Sequence, residues 1–152
     1  MKLILENWRQ YLNEADIKWK EPDFPAERGE YQRHAPKFGI TPEELEEYIK
    51  TNGKLVSMSE ELYNTLQNTQ MREVENVDDL DRIGKENNKD FEGIKAGIEQ
   101  GSQFNAPIVV HKENEAPWLI AGNTRLVAAA AYGIPPQVWY TKLRGEEDET
   151  TI

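Results

Sequence analysis

Cysteine is absent from this 152-residue chain, and histidine occurs only as His34 and His111. The first absence excludes disulfides, thiolate metal centres and cysteine nucleophiles. The second disfavours a histidine-built metal centre and leaves only a carboxylate-held divalent cation open. No apolar run approaches the roughly 20 residues needed to cross a bilayer. The opening segment MKLILENWRQYLNEA is broken by Glu6, Asn7 and Arg9, so it is no secretory signal. The expectation is a cytoplasmic protein without membrane contact.

Positive charge is also scarce. Eighteen Lys and Arg stand against 28 Asp and Glu, for a net charge of −10. Nucleic-acid binding draws its affinity from cations that displace counterions, so this balance disfavours it. The deficit is uneven. Residues 41–106 carry a net −8, whereas residues 107–143 carry three basic and two acidic side chains. The least acidic stretch also holds the most distinctive motif.

That stretch reads as strand Pro107–His111, a turn, strand Trp118–Ala121, a Gly-Asn-Thr-Arg turn, an alanine-rich helix Thr124–Tyr132, and strand Gln137–Leu143. A turn that opens a helix beneath a strand end presents unpaired backbone N–H groups and the positive end of a helix dipole. Gly122 lets a ligand approach the backbone. Asn123 and Thr124 can cap the helix or bond a phosphate oxygen. Arg125 can grip phosphate with two parallel hydrogen bonds. The residues leave a structural alternative open, in which Arg125 pairs with an acid and the turn only holds the fold. The run Ala128–Ala131 lets the helix lie close to a sheet.

The rest of the chain divides by pattern. Residues 1–14 form an amphipathic helix on Leu5, Trp8, Tyr11 and Leu12. Residues 15–40, with Pro22, Pro25 and Pro36, read as an irregular arm docked by Trp19, Phe24 and Tyr31. His34 is incidental in that arm, and His111 is a strand-end surface residue. A helix starts at Thr41, with Pro42 at its first position and Glu44 completing a capping box. It is apolar at Leu45, Tyr48 and Ile49 and ends at Gly53. Lys54–Met58 is a short strand. Ser57 with Glu60 predicts a capped helix to Leu66, and Val77–Ile83 a brief helical turn. Asp90–Gln100 is a helix, apolar at Phe91, Ile94, Ala96 and Ile98, which Gly101 ends, and Ser102–Ala106 is a link. Residues 144–152 are an acidic tail. The predicted fold is α+β (α/β) with a mixed sheet: one domain over residues 41–143, with its motif core at 88–143, preceded by the helix and arm.

In order, IKAGIEQG (94–101), APIVV (106–110), WLIAGNTRLVAAAAYGI (118–134) and PQVWYTKL (136–143) resemble the ParB N-terminal/sulfiredoxin-like domain family. The resemblance covers over a third of the chain. It implies a nucleotide or phosphate site at Gly122, Asn123, Thr124 and Arg125, with ATP or CTP and Mg²⁺ as the ligand. An enzyme of this kind would be a phosphotransferase or NTPase. The departures matter equally. Sulfiredoxins place a catalytic Cys where Asn123 stands, so that chemistry does not carry over. Partition-type members have Glu there and a helix-turn-helix downstream, which nine residues cannot supply. Asn123 is no base, so a kinase would need a carboxylate from elsewhere, with Glu99 the candidate. No acid cluster for a nuclease is evident at the turn.

MKLILENWRQYLNEA also resembles the leader peptides of internal head proteins of T-even-like bacteriophages. That resemblance implies processing at Leu12, Glu14 and Ala15, a bacteriophage origin, and packaging in a virion. The leading expectation is a nucleotide- or phosphate-binding protein. A non-enzymatic virion or interaction protein, with a phage head or host protein as partner, is the alternative. DNA binding or cleavage stands third.

Overall fold

A computed structural model of the chain describes residues 18–70, 74–87, 91–101, 103–134 and 136–143. The expected N-terminal helix, the candidate processing residues Leu12, Glu14 and Ala15, and the acidic tail lie outside the described residues. Elements follow in the order β1 (Lys18–Lys20), a 3-10 turn (Phe24–Glu27), α1 (Arg28–Phe38), α2 (Pro42–Asn52), β2 (Lys54–Ser57) and α3 (Glu60–Thr65). Then come α4 (Val77–Glu86), α5 (Glu92–Gln100), β3 (Gln103–Asn105), β4 (Ile108–Lys112), β5 (Trp118–Ala121), α6 (Asn123–Ala131) and β6 (Gln137–Leu143). The fold is α+β.

Four strands form a mixed sheet in the order β2-β6-β4-β5. The central pair β4 and β6 is parallel, and β2 and β5 flank it antiparallel. Helices cover both faces, which is why β4 is a continuous apolar run rather than an alternating one. Ile108 and Val110 pack with Tyr31, Ala35, Leu45 and Ile49 of α1 and α2. Val109, between them, packs on the opposite face with Leu119, Leu126, Ala130 and Val138. All three β4 side chains are fully buried. Beyond α6 lies a further layer, where Val127, Ala128 and Ala131 meet Val74, Leu80 and Ile83. The alanine run is thus buried on two sides, and larger side chains would push α6 off the sheet or off α4.

The capping box at Thr41 forms as expected, with Thr41 Oγ1 accepting from Glu44 N at 3.1 Å. Gly53 ends α2, although Tyr48 is exposed rather than buried. The next helix is capped by Ser59 and not by Ser57, because Ser57 is still paired with Gln137 in β2. Val77–Glu86 is a ten-residue helix capped by Asn76, longer than the turn expected. Phe91 precedes α5 and is buried, while Ala96 is exposed.

The arm is not irregular. Asp23 caps a 3-10 turn with Pro25 at its start, and an eleven-residue helix follows. Pro36 sits in the last turn of that helix, and Gly39 closes it at φ 71°. Pro25 suits the first turn of the 3-10 element, whereas Pro36 has no N–H to offer Gln32 O and costs α1 one backbone hydrogen bond near its end, so this helix is not legible from proline content alone. The buried set Tyr31, His34, Ala35 and Phe38 nevertheless has spacing i, i+3, i+4, i+7. The link after α5 is likewise a strand, β3, which pairs in parallel with β1.

Candidate functional site

β5 carries one extra residue. Its register with β4 passes from Val109↔Leu119 to Ile108↔Ala121, so Ile120 is bulged. The bulge leads into Gly122 at φ 97°, which is the N-cap of α6. A Cβ there would stand 2.7 Å from Pro107 Cα, so glycine is required by both conformation and space. Gly122 offers no side-chain cap, and the first turn of α6 holds no acid. The N–H groups of Asn123, Thr124 and Arg125 therefore have no acceptor within the helix.

This turn opens onto a cleft of about 270 Å³ between α1 and the loop 67–70. Gly122, Asn123 and Thr124 line one side, and Glu27, Glu30, Arg33 and His34 line the other. Two carboxylates, Glu27 and Glu30, thus face the motif, where the sequence shows no acid cluster. They come from the end of the 3-10 turn and from α1, in the segment whose prolines give it the pattern of an irregular arm. Its helical spacing, with Glu27, Glu30 and His34 along one side, was the available signal.

The four motif residues do different things. Asn123 stitches the wall of the cleft. Its Oδ1 accepts from Gln70 N at 3.0 Å and its Nδ2 donates to Gln70 O at 3.3 Å. The same loop is tied to β5 by Gln67 N to Pro117 O at 2.8 Å and Leu119 N to Gln67 O at 3.0 Å. Asn68, at φ 66°, donates from Nδ2 to Leu119 O at 2.7 Å. Thr124 is half-buried on the cleft wall.

Arg125 does not line the cleft. Its Nη1 donates to Asn105 O at 2.6 Å, and its Nη2 lies 3.8 Å from Glu27 Oε1. It brackets α6, β3 and the 3-10 turn together. Burial lowers the pKa of its guanidinium, with Glu27 opposing. Burial raises that of the Glu27 carboxyl, Arg125 opposing and Glu30 and Asp23 adding to the rise.

His34, read as incidental, is 7% exposed and sits at the cleft. Its Nδ1 accepts from Trp118 Nε1 at 3.2 Å, and its Nε2 lies 3.3 Å from Glu30 Oε2. Burial lowers its pKa against the pull of Glu30. The other polar candidates lie elsewhere. Glu99 accepts from the Tyr132 hydroxyl at 3.0 Å and is not at the cleft, so it is no substitute base there. His111 stands at the end of β4, bonded to the Tyr140 hydroxyl and, from Nε2, to Glu115 O at 2.8 Å.

Among the described residues no group of three or more His, Asp or Glu side chains is placed to hold a metal ion. Among them, too, no helix is long and apolar enough to cross a membrane. Comparison with family models, with curated proteins and with solved structures found no match to this chain.

Proposed function

We propose that the cleft binds a phosphate-bearing small molecule, specifically a nucleotide such as ATP or CTP with its Mg²⁺. The reading agrees with the resemblance of the G-x-x-R turn to ParB N-terminal/sulfiredoxin-like domains. One observation carries it: a nine-residue helix with no side-chain cap opens, through a positive-φ glycine, onto a cleft of about 270 Å³. Such a helix end favours an anion through both its free N–H groups and its dipole. Thr124 adds a hydroxyl donor and Arg33 a cation at the rim. Mg²⁺ keeps most of its water and takes one or two carboxylates alongside phosphate oxygens, a task that suits Glu27 and Glu30. A phosphotransferase or NTPase would draw its base from the same pair, because Asn123 has no basic group. Arg125 supports the geometry from behind.

The test is isothermal titration with ATP, CTP and their diphosphates, each with Mg²⁺, on the wild-type chain and Thr124→Glu. An acid in the first helical turn stabilises a helix by about 0.3–1 kcal/mol. The variant should therefore melt no lower than the wild type. Its nucleotide affinity should fall at least tenfold, about 1.4 kcal/mol. No heat from any nucleotide, or equal affinity in both proteins, would sink the proposal.

A second reading has its own support. The strongest cation of the motif is bonded to Asn105 O and faces Glu27, as a scaffold role requires. In that reading the chain is a non-enzymatic bacteriophage virion or interaction protein. Mass spectrometry of particles should then find a mature chain that begins at Ala15, and an intact Met1 there counts against it.

A further inference from the structure

The strand order β2-β6-β4-β5 leaves the sheet two edges. The loop 67–70 covers the β5 edge, with Gln67 N bonded to Pro117 O at 2.8 Å and Leu119 N to Gln67 O at 3.0 Å. Among the described residues β2 pairs with β6 alone. Met58 N donates to Pro136 O at 2.9 Å, which sets the alternation along the strand. Lys54, Val56 and Met58 turn their backbone groups toward β6. Leu55 and Ser57 therefore turn theirs outward, two donors and two acceptors along one open line. No proline, glycine or bulge blunts this edge.

Apolar side chains gather beside it. Tyr48 and Leu55 are the large hydrophobic residues left exposed among the described residues. Leu55 lies opposite Trp139, on the sheet face that α2 covers. On α2, Leu45 and Ile49 are buried, and Glu46 on one flank holds Arg28 of α1 at 3.0 Å. At about 100° per residue Tyr48 falls on the opposite flank, away from α1 and on the β2 side.

Charge selects the occupant. Lys54 begins β2, and Glu60 and Glu61 follow its end, all three exposed. Lys54 lies opposite Tyr140, which packs on the face that α3 shares. No ion pair among the described residues uses any of the three. A strand that is positive at its head and negative past its tail complements itself only when reversed.

We propose that β2 is a self-association edge, through which two copies of this chain pair antiparallel about a two-fold axis at Val56. The two four-stranded sheets then become one. In this register Leu55 exchanges both backbone bonds with the partner's Ser57, and symmetry repeats the exchange. Every outward donor and acceptor is thereby used. The axis is normal to the sheet, so each face stays continuous across it. Tyr48 and Leu55 of both copies share one face. On the other, Lys54 comes alongside the partner's Glu60 and Glu61, twice by symmetry. The cleft lies beside β5, at the far edge, and stays open in both copies. The pairing is independent of what the cleft binds.

Sedimentation velocity on the full chain, in a concentration series up to the millimolar range, should show the 17.6 kDa monomer passing reversibly to twice that mass. A contact of one short strand and two apolar side chains makes a weak dimer. Amide exchange of Leu55 and Ser57 should be fast in the monomer and slow as concentration rises. Ser57→Pro removes an outward N–H and no bond to β6, so it should fold by circular dichroism and associate at least tenfold more weakly. Lys54→Glu and the double variant Glu60→Lys/Glu61→Lys should each associate at least tenfold more weakly, because like charges then meet at both symmetric sites. Mixed in equal amounts, these two proteins should recover dimerisation, since each site again joins opposite charges.

A chain that stays monomeric throughout would overturn the proposal. So would a mixture that associates no more tightly than either variant alone, or a dimer that Ser57→Pro leaves intact. Slow exchange of Leu55 and Ser57 already in the monomer would mean that another segment of the chain covers the edge, and would overturn it equally.

Discussion

Replacement of Arg125 by alanine should cost stability before it costs binding. The guanidinium donates to Asn105 O at 2.6 Å, a hydrogen bond from a charged group to a backbone carbonyl at the end of β3. Such a bond contributes about 1.5–3 kcal/mol net. The pair with Glu27 is longer, at 3.8 Å, and both side chains are about one-fifth exposed, at 18% and 22%. Solvent screening holds its share to at most about 1 kcal/mol. The expected loss for Arg125→Ala is therefore about 2–4 kcal/mol. For a chain of this size each kcal/mol moves Tm by about 2–4 °C, so melting should fall by roughly 5–15 °C. Arg125→Lys should lie between, since an ammonium can reach one acceptor but lacks the planar fork. Differential scanning calorimetry of the three proteins, paired with nucleotide titration below the lower Tm, measures both quantities. Unchanged melting of Arg125→Ala with collapsed nucleotide affinity would refute the argument. It would mean that Arg125 turns into the cleft and that the bracket to Asn105 carries nothing.

Two further outcomes follow from local geometry and charge. Gly53→Ala should lose about 2–4 kcal/mol in urea denaturation, from overpacking and a broken buried hydrogen bond. The added Cβ would stand 2.7 Å from Thr141 Oγ1 and crowd the Trp139 indole that donates to Ile49 O at 2.8 Å. Gly93→Ala is the control: a Cβ there meets nothing within 4 Å, so the α5 helix should gain about 0.5–1 kcal/mol. Stability should also depend on pH with opposite signs at two groups. Burial lowers the pKa of His34, so its contribution is complete above the unfolded value of about 6.5 and is lost as pH falls through the folded pKa. Burial raises the pKa of Glu27, so its contribution is present below the unfolded carboxylate range and is lost as pH rises through its folded pKa. Urea midpoints between pH 8 and 4 should show the fall below 6.5 in the wild type and its absence in His34→Gln.

Local signals were legible wherever neighbouring residues decide the outcome. The capping box at Thr41, the stop at Gly53, the strands around Val109 and Leu119, and the Gly122 turn all rest on side chains within four or five positions of one another. Their presence in that order determined the α+β class and the place of the motif. Helix α1 is hidden because Pro25 and Pro36 read as breakers, although Pro25 sits in the 3-10 turn before it and the hydrogen bond lost at Pro36 falls in its last turn, where burial of Tyr31, His34, Ala35 and Phe38 outweighs it. Ser57 looked like a cap because the demand of β2 for that residue comes from Gln137 in a distant strand.

The site divides in the same way. The chain alone determined that a glycine turn delivers an uncapped helix end, since backbone conformation and capping are local. Only the tertiary structure decided what meets it. β1 had to pair with β3 before Asn105 O and Glu27 could come within reach of Arg125, which placed that cation behind the site rather than in it. α1 had to fold against β5 before Glu27, Glu30 and His34 could face Gly122 and Thr124. Those contacts join residues far apart in the chain, and their partners are selected by sheet register and helix packing, which no local pattern encodes.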